Sequence, residues 1–417
     1  MISFTQLLAV AVVAFLAPLL LGLAPRLRLP AVVLEILAGI VLGPLLHWVH
    51  VDLTIQVLSM LGLAFLLFLA GLEIDFGQLR GPSLRLAAIA LMLSLVIGIL
   101  VGVGAYAAGL VKAPVYLAIV LLATSLGLVV PVLKDAGQAE TRFGQLVIAS
   151  ASLADFGAVI LLSLFFSREA GAPGVKVALL ASFVVSVGML GFAIARAERF
   201  SWLTRVLLRL QDTTAQIRVR GAVLLLVALA ALSARFGVEL LLAAFMAGAL
   251  LSLIDRDQMS THPQFQTKLQ ALGYGFLIPV FFVSSGLQFD LASLANPASL
   301  AKVPIFVVAL LAVRGLPAVL YAGSFGRPQA VAAGLLQATS LPFIVAATQI
   351  GLALKVIQPS TGAALVAAGL VSVVFFPALA LSIVRRAAPR EKQGKAQPGV
   401  TDHPLHQGGA PSDARPG

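Results

Sequence analysis

Thirteen stretches of about 20 residues run almost without a polar side chain, and this pattern restricts the chain more than any other feature. Each is long enough to cross a bilayer, where backbone polar groups are satisfied only inside helices or closed barrels. Barrel strands alternate apolar and polar residues over about 10 positions. These runs are continuous and about twice that length, so they predict an all-α polytopic membrane protein with about 13 transmembrane helices. The predicted spans are 2–24, 29–49, 54–74, 84–109, 115–134, 143–166, 173–195, 217–236, 238–254, 269–289, 300–323, 329–351 and 359–384. With 60% hydrophobic and 11% charged residues, the chain lacks the polar positions to cover a soluble domain of 417 residues. That excludes a cytosolic globular protein, a disordered chain and a secreted domain. The first run has no basic region before it and is too long for a signal-peptide core, so it reads as a true span.

The net charge of +11 is a topology signal before it is anything else. Of the 28 Lys and Arg, 21 fall on one side of the predicted membrane and six on the other, with Arg314 inside it. Basic loops stay cytoplasmic. The split therefore puts the C-terminus in the cytoplasm and the N-terminus outside, as expected for a plasma-membrane protein. Nucleic acid is not needed to explain the charge; membrane lipid is the expected surroundings. The transmembrane domain is expected over 1–387, with a linker at about 196–217 that carries an amphipathic stretch (Trp202, Leu203, Val206, Leu207, Leu210). The tail 388–417 is rich in Pro, Gly and Gln and is expected to be disordered.

Two segments recur at one offset. Gly71-Leu72-Glu73-Ile74-Asp75 matches Gly286-Leu287-Gln288-Phe289-Asp290, and Ala123-Thr124-Ser125-Leu126 matches Ala338-Thr339-Ser340-Leu341, both 215 residues on. Leu37-Ala38-Gly39 is echoed by Met246-Ala247-Gly248 at 209. The matched elements are seven spans apart, an odd number, so equivalent helices cross the membrane in opposite directions. This predicts inverted-topology repeats, which many secondary transporters use for alternating access.

Ionisable groups in hydrocarbon cost about 2.5–3.5 kcal/mol each on insertion scales, so those that occur need a reason. Asp155 lies near the centre of the sixth span and Arg314 near the centre of the eleventh. Thr124-Ser125 and Thr339-Ser340 lie at the centres of the fifth and twelfth. Gly127 and Pro131 follow the first pair and Pro342 the second; proline removes a donor and clashes with the carbonyl four residues back. Two crossed, broken helices are therefore expected, with freed carbonyls to bind cations and helix ends to be compensated by Asp155 and Arg314. Glu73 is expected at the cytoplasmic end of its span, as a solvated cap or in an entry funnel; Glu35 is placed nearer a span end. The five His fall in loops or the tail, and there is no Cys, so no resident metal or cofactor is expected.

These residues form a series that resembles the monovalent cation:proton antiporters of the Kef/Nap type. The series consists of Leu29-Pro30 with Glu35 to Pro44, Phe68 to Glu73, Ala123 to Gly127 and Phe281 to Leu287. The resemblance covers roughly residues 1–385. It implies a sodium/proton antiporter-like fold, a homodimer, and a core domain rocking against a dimerisation domain. The family's ion-carrying Asp is the second of a polar pair and maps onto Asp155. Here the preceding residue is Ala154, a departure from the pattern. Electroneutral relatives carry Arg where this chain has Arg314 and often pair it with an acid before the carrier Asp. Here those positions are Ser150, Ala151 and Ser152.

The expected function is a secondary active antiporter, not an enzyme. It would exchange Na+ or K+ for H+ electroneutrally through one carboxylate, Asp155, that holds either a proton or a cation. Thr124, Ser125 and Ser152 are expected to add oxygens around the ion. Alternatives are a sodium-coupled symporter of an organic solute and a cation channel.

Overall fold

A computed structural model describes residues 4–23, 30–73, 82–166, 173–197, 216–254 and 264–387. The predicted linker stretch 198–215, the tail 388–417 and Asp75 of the repeat lie outside the described residues. Among the described residues the elements are helical throughout. In chain order they include α1 (Phe4–Leu23), α2 (Ala31–Ile40), α3 (Leu53–Leu72), α4 (Pro82–Ala107), α5 (Pro114–Leu122), α6 (Leu126–Asp135), α7 (Arg142–Phe165) and α8 (Pro173–Ala197). There follow α9 (Ile217–Arg235), α10 (Leu240–Ile254), α11 (Gln264–Leu272), α12 (Ile278–Leu287), α13 (Lys302–Leu310), α14 (Arg327–Gln337), α15 (Pro342–Ala353) and α16 (Pro359–Ala387). Eleven helical stretches among the described residues are long and apolar enough to cross a membrane, and Ala31–Leu45 and Leu240–Ile254 are shorter apolar helices.

Local chemistry sets several helix starts. The Asp52 carboxylate accepts the Ile55 amide (2.8 Å) at the start of α3, and the Thr141 hydroxyl accepts the Gly144 amide (3.1 Å) at the start of α7. Between α9 and α10 the chain turns at Gly237, whose φ of +63° suits a residue without a Cβ. That turn separates two spans that nearly touch in the sequence. On the outside, Phe15, Leu23, Met92, Leu100, Met189 and Phe192 are exposed, as side chains that face lipid should be.

Two groups of helices matter for the site. In the first, α3 packs against α10 and α12, and α2 packs against α12 and α1. In the second, α4 packs on α5 and α7, and α16 packs on α13, α14 and α15. The first group is seated by glycines. A Cβ on Gly39 would overlap the Val283 carbonyl oxygen, and one on Gly286 would overlap that of Ile36. Likewise a Cβ on Gly71 would overlap the Phe245 carbonyl oxygen, and one on Gly248 that of Phe68. With little apolar driving force between helices in lipid, such close backbone approach is how they gain contact. Gly248→Val is therefore expected to destabilise the protein by about 1–3 kcal/mol, because the obstructing atoms are backbone and cannot give way. Thermal unfolding in detergent would read this, and wild-type stability would show that the helices can part.

The fifth and twelfth predicted spans are each two helices. The first breaks at Ala123–Ser125 and the second at Ala338–Leu341. The expected cause of the first break needs correction. Pro131 is accommodated inside α6, several residues past the break. The break is held instead by tertiary bonds to its freed backbone amides: Thr124 N–H donates to Asp155 Oδ1 (2.9 Å) and Ser125 N–H to the Thr339 carbonyl (2.9 Å). At the second break Pro342 does sit at the start of α15, where its missing N–H would have been an orphan anyway.

Candidate functional site

The two breaks cross, and Thr124 is the joint between them. It is 1% exposed, and both its amide and its hydroxyl are engaged. Its amide holds Asp155, and its hydroxyl donates to the Gln337 carbonyl at the C-terminal end of α14 (2.7 Å). The same oxygen accepts Nε of Arg314 (2.9 Å). One residue from the first break thus touches the carboxylate of α7, the end of α14 and the buried guanidinium.

Asp155 sits at the N-terminus of α6, where unsatisfied N–H groups and the helix dipole favour negative charge. The accessible face of Asp155 opens on a cavity of about 300 Å³. The polar wall of that cavity is formed by Glu35, Glu73, Thr124, Ser125, Asp155 and Tyr274; apolar residues such as Leu67, Phe282 and Phe343 complete it.

Arg314 is 1% exposed and stands in a π-helical turn, Leu311–Gly315. Its hydrogen bonds go to the Thr124 hydroxyl, the Ser94 hydroxyl (3.2 Å) and the Ser150 carbonyl (3.5 Å). None goes to Asp155; Thr124 stands between the two, bonded to both. Behind the guanidinium, the Tyr321 hydroxyl meets the Ser150 hydroxyl (2.8 Å) and receives Nε2 of Gln337 (3.1 Å). The missing acidic partner at positions 150–152 is thus replaced by neutral oxygens.

At the second break the Thr339 hydroxyl bonds back to the Leu335 carbonyl (3.0 Å). The Ser340 amide donates to the Ser372 hydroxyl of α16 (3.2 Å). The Ser340 hydroxyl and Oε1 of Gln337 are buried without a hydrogen-bond partner.

Of the residues singled out in the sequence, Asp155, Thr124, Ser125 and Glu73 meet at the cavity. Thr339 and Ser340 stand at the crossing, and Arg314 lies behind Thr124. Ser152 does not join them: its hydroxyl turns back to the Ile148 carbonyl one turn earlier (3.0 Å), as a helical serine often does, and it does not line the cavity. Glu73, at the C-cap of α3, is part of the cavity wall, and Glu35, placed near a span end by the sequence, joins it there. The picture of Asp155 as the one acid at this depth is therefore too sparse. Ser94, Ser150, Tyr321, Gln337 and Ser372 were missed. Gln337 carried a signal, since the repeat puts Leu122 opposite it, a polar residue against an apolar one.

The fold and the sequence have relatives. The solved sodium proton antiporter MjNhaP1 from Methanocaldococcus jannaschii shares the fold, with a TM-score of 0.61 at 16% identity, over 92% of this chain and 98% of that one. The Bacillus subtilis protein YjbQ is 31% identical over 409 residues, 94% of this chain; the chain spans 65% of YjbQ's length. The Na(+)/H(+)-K(+) antiporter GerN of Bacillus cereus is 29% identical over 287 residues, 66% of this chain and 69% of GerN. The family model for the sodium/hydrogen exchanger transmembrane domain matches residues 11–381, which takes in the cavity, both helix breaks and Arg314. This multi-pass membrane protein belongs to the sodium/hydrogen exchanger family.

Proposed function

We propose that the chain exchanges a monovalent cation for protons across the membrane, with both ions competing for Asp155. The observation that carries this reading is the placement of Asp155. It is a carboxylate fixed by a backbone amide at the crossing of two broken helices, and it opens on a cavity lined by further carboxylates. The same group can take a proton or a cation but not both at once, and that competition couples the two fluxes. Thr124 fixes the carboxylate, Ser125 and Glu73 supply further oxygen toward an ion, and Arg314 holds its charge beside the helix ends. Relatives named as Na(+)/H(+) and Na(+)/H(+)-K(+) antiporters support the ion class and leave both Na+ and K+ as cargo.

Inverted repeats supply the way to alternate access. Exchanging Gly39 with Gly248 and Gly71 with Gly286 turns one glycine contact into the other. In both, each glycine faces the carbonyl three residues before its partner. The span after each break also meets a freed amide: Asp155 does so for Thr124, and the neutral Ser372 for Ser340. At this place the first half of the repeat thus carries an acid and the second a neutral hydroxyl. We place the protein in the plasma membrane as a homodimer with a cytoplasmic C-terminus, from its charge distribution and the family likeness.

One carboxylate at the crossing gives electroneutral exchange of one cation for one proton. Dequenching of a pH-sensitive dye in proteoliposomes, with Na+, K+ and Li+ titrated in turn, would identify the cation. Imposing a potential with valinomycin should leave the exchange rate unchanged; potential-driven exchange would refute the stoichiometry. Ion movement without proton coupling would favour a channel and sink the antiport reading.

A further inference from the structure

We infer that Glu35 is a second cation-holding carboxylate, which receives the monovalent cation or proton on the wall of the cavity formed by α2. This rests on the reading of the cavity as the ion path, and it adds a site to it.

Glu35 is the one ionisable residue in α2, whose sequence is otherwise Ala-Val-Val-Leu and Ile-Leu-Ala-Gly-Ile. It is 5% exposed, yet it lines the cavity. Among the described residues it has no hydrogen-bond or ion-pair partner. A buried carboxylate without donors is costly, and proteins resolve this by neutralising or pairing it. Among the described residues no side chain does so. The other titratable groups on the cavity wall are Glu73, Asp155 and Tyr274, which are acids or a phenol. Arg314 spends its donors on Thr124, Ser94 and Ser150. Its place on the cavity wall opens Glu35 to a counter-charge from the cavity, and the ions read as passing through it are monovalent cations and protons. Three carboxylates in one small cavity cannot all stay ionised without bound positive charge.

Position gives Glu35 a role distinct from that of Asp155. It stands on α2, which packs mainly against α12 and α1, while Asp155 bonds to the crossing itself. Glu35 is thus placed to hold an ion before it reaches Asp155 and to raise its local concentration. Its loss should weaken cation capture more than turnover.

The test uses the full chain in proteoliposomes. In Glu35→Gln the KM for the transported cation should rise about tenfold, the loss expected for one charged contact, with kcat changed much less. Glu35→Asp, which keeps the charge on a shorter stem, should bring KM most of the way back. Equilibrium binding of Tl+ gives a readout without turnover: Asp155→Asn should retain weak Tl+ binding, and Asp155→Asn with Glu35→Gln should lose it. A wild-type KM in Glu35→Gln, or equal Tl+ binding by the single and double variants, overturns the proposal. A fall in kcat and thermal stability at constant KM also overturns it, since that marks a structural role. If Glu35→Gln does not fold, Glu35→Ala decides by the same KM criterion. Retention of full exchange by Asp155→Asn would instead sink the antiport reading, while the Tl+ comparison would still judge Glu35.

Discussion

Asp155→Asn is expected to reduce coupled exchange to the leak of empty liposomes, a loss of about 100-fold or more, while leaving the protein folded. Asparagine keeps the shape of the side chain and an oxygen that can still accept the Thr124 amide, so the crossing retains its anchor. What it loses is the negative charge and the ability to take up and release a proton. Both are required if the two ions compete for one group. Proteoliposome exchange and thermal unfolding, measured on the same preparation, separate the two effects. Full exchange by a folded Asp155→Asn protein would end the assignment of Asp155. Loss of folding would show that the charge, and not merely the hydrogen bond, holds the crossing together.

Arg314→Met should cost both stability and transport. The guanidinium is 1% exposed and donates to two hydroxyls and a carbonyl on three different elements. Methionine fills much of the space but supplies no donor. The Ser150 carbonyl and the hydroxyls of Ser94 and Thr124 then lose a charged partner in a dry setting, for which about 2–3 kcal/mol of lost stability is the expected scale. Exchange should fall by about tenfold or more, because the residue released is Thr124, the one that positions Asp155. Arg314→Lys keeps the charge but not the planar fork, and it should restore only part of either quantity. Thr124→Val provides the internal comparison. It removes the hydroxyl that links Arg314 to Gln337 and spares the amide that holds Asp155. If the relay is real, Thr124→Val should resemble Arg314→Met in transport. Wild-type stability and exchange in Arg314→Met would show that the network is dispensable.

The apolar runs made the helices legible because the bilayer imposes a simple length rule that composition alone satisfies. The doublets Thr124-Ser125 and Thr339-Ser340 marked the breaks because polar residues in hydrocarbon need a reason, and their common offset gave the pairing. Asp155 stood out for the same cause. The mechanism of the first break was less legible. Proline is a local signal, so Pro131 drew attention, while the bonds that hold the break come from Asp155 and Thr339, 31 and 215 residues away from Thr124. Ser152 misled for the opposite reason: one turn before Asp155 it shares a helix face, but its hydroxyl finds a carbonyl on its own helix first.

The sequence by itself determined that this is a membrane protein of many helices, where its spans run, and which polar residues lie deep within them. These are properties of a stretch of chain and its solvent. Only the tertiary structure decided that Glu35 and Glu73 share a cavity with Asp155, that Thr124 links the carboxylate to Arg314, and that neutral oxygens replace the missing acid. Distance along a span sets a residue's depth but not its bearing around the helix axis. Whether two residues of similar depth meet depends on helix rotation and packing, and here that packing is set where glycines let backbones touch.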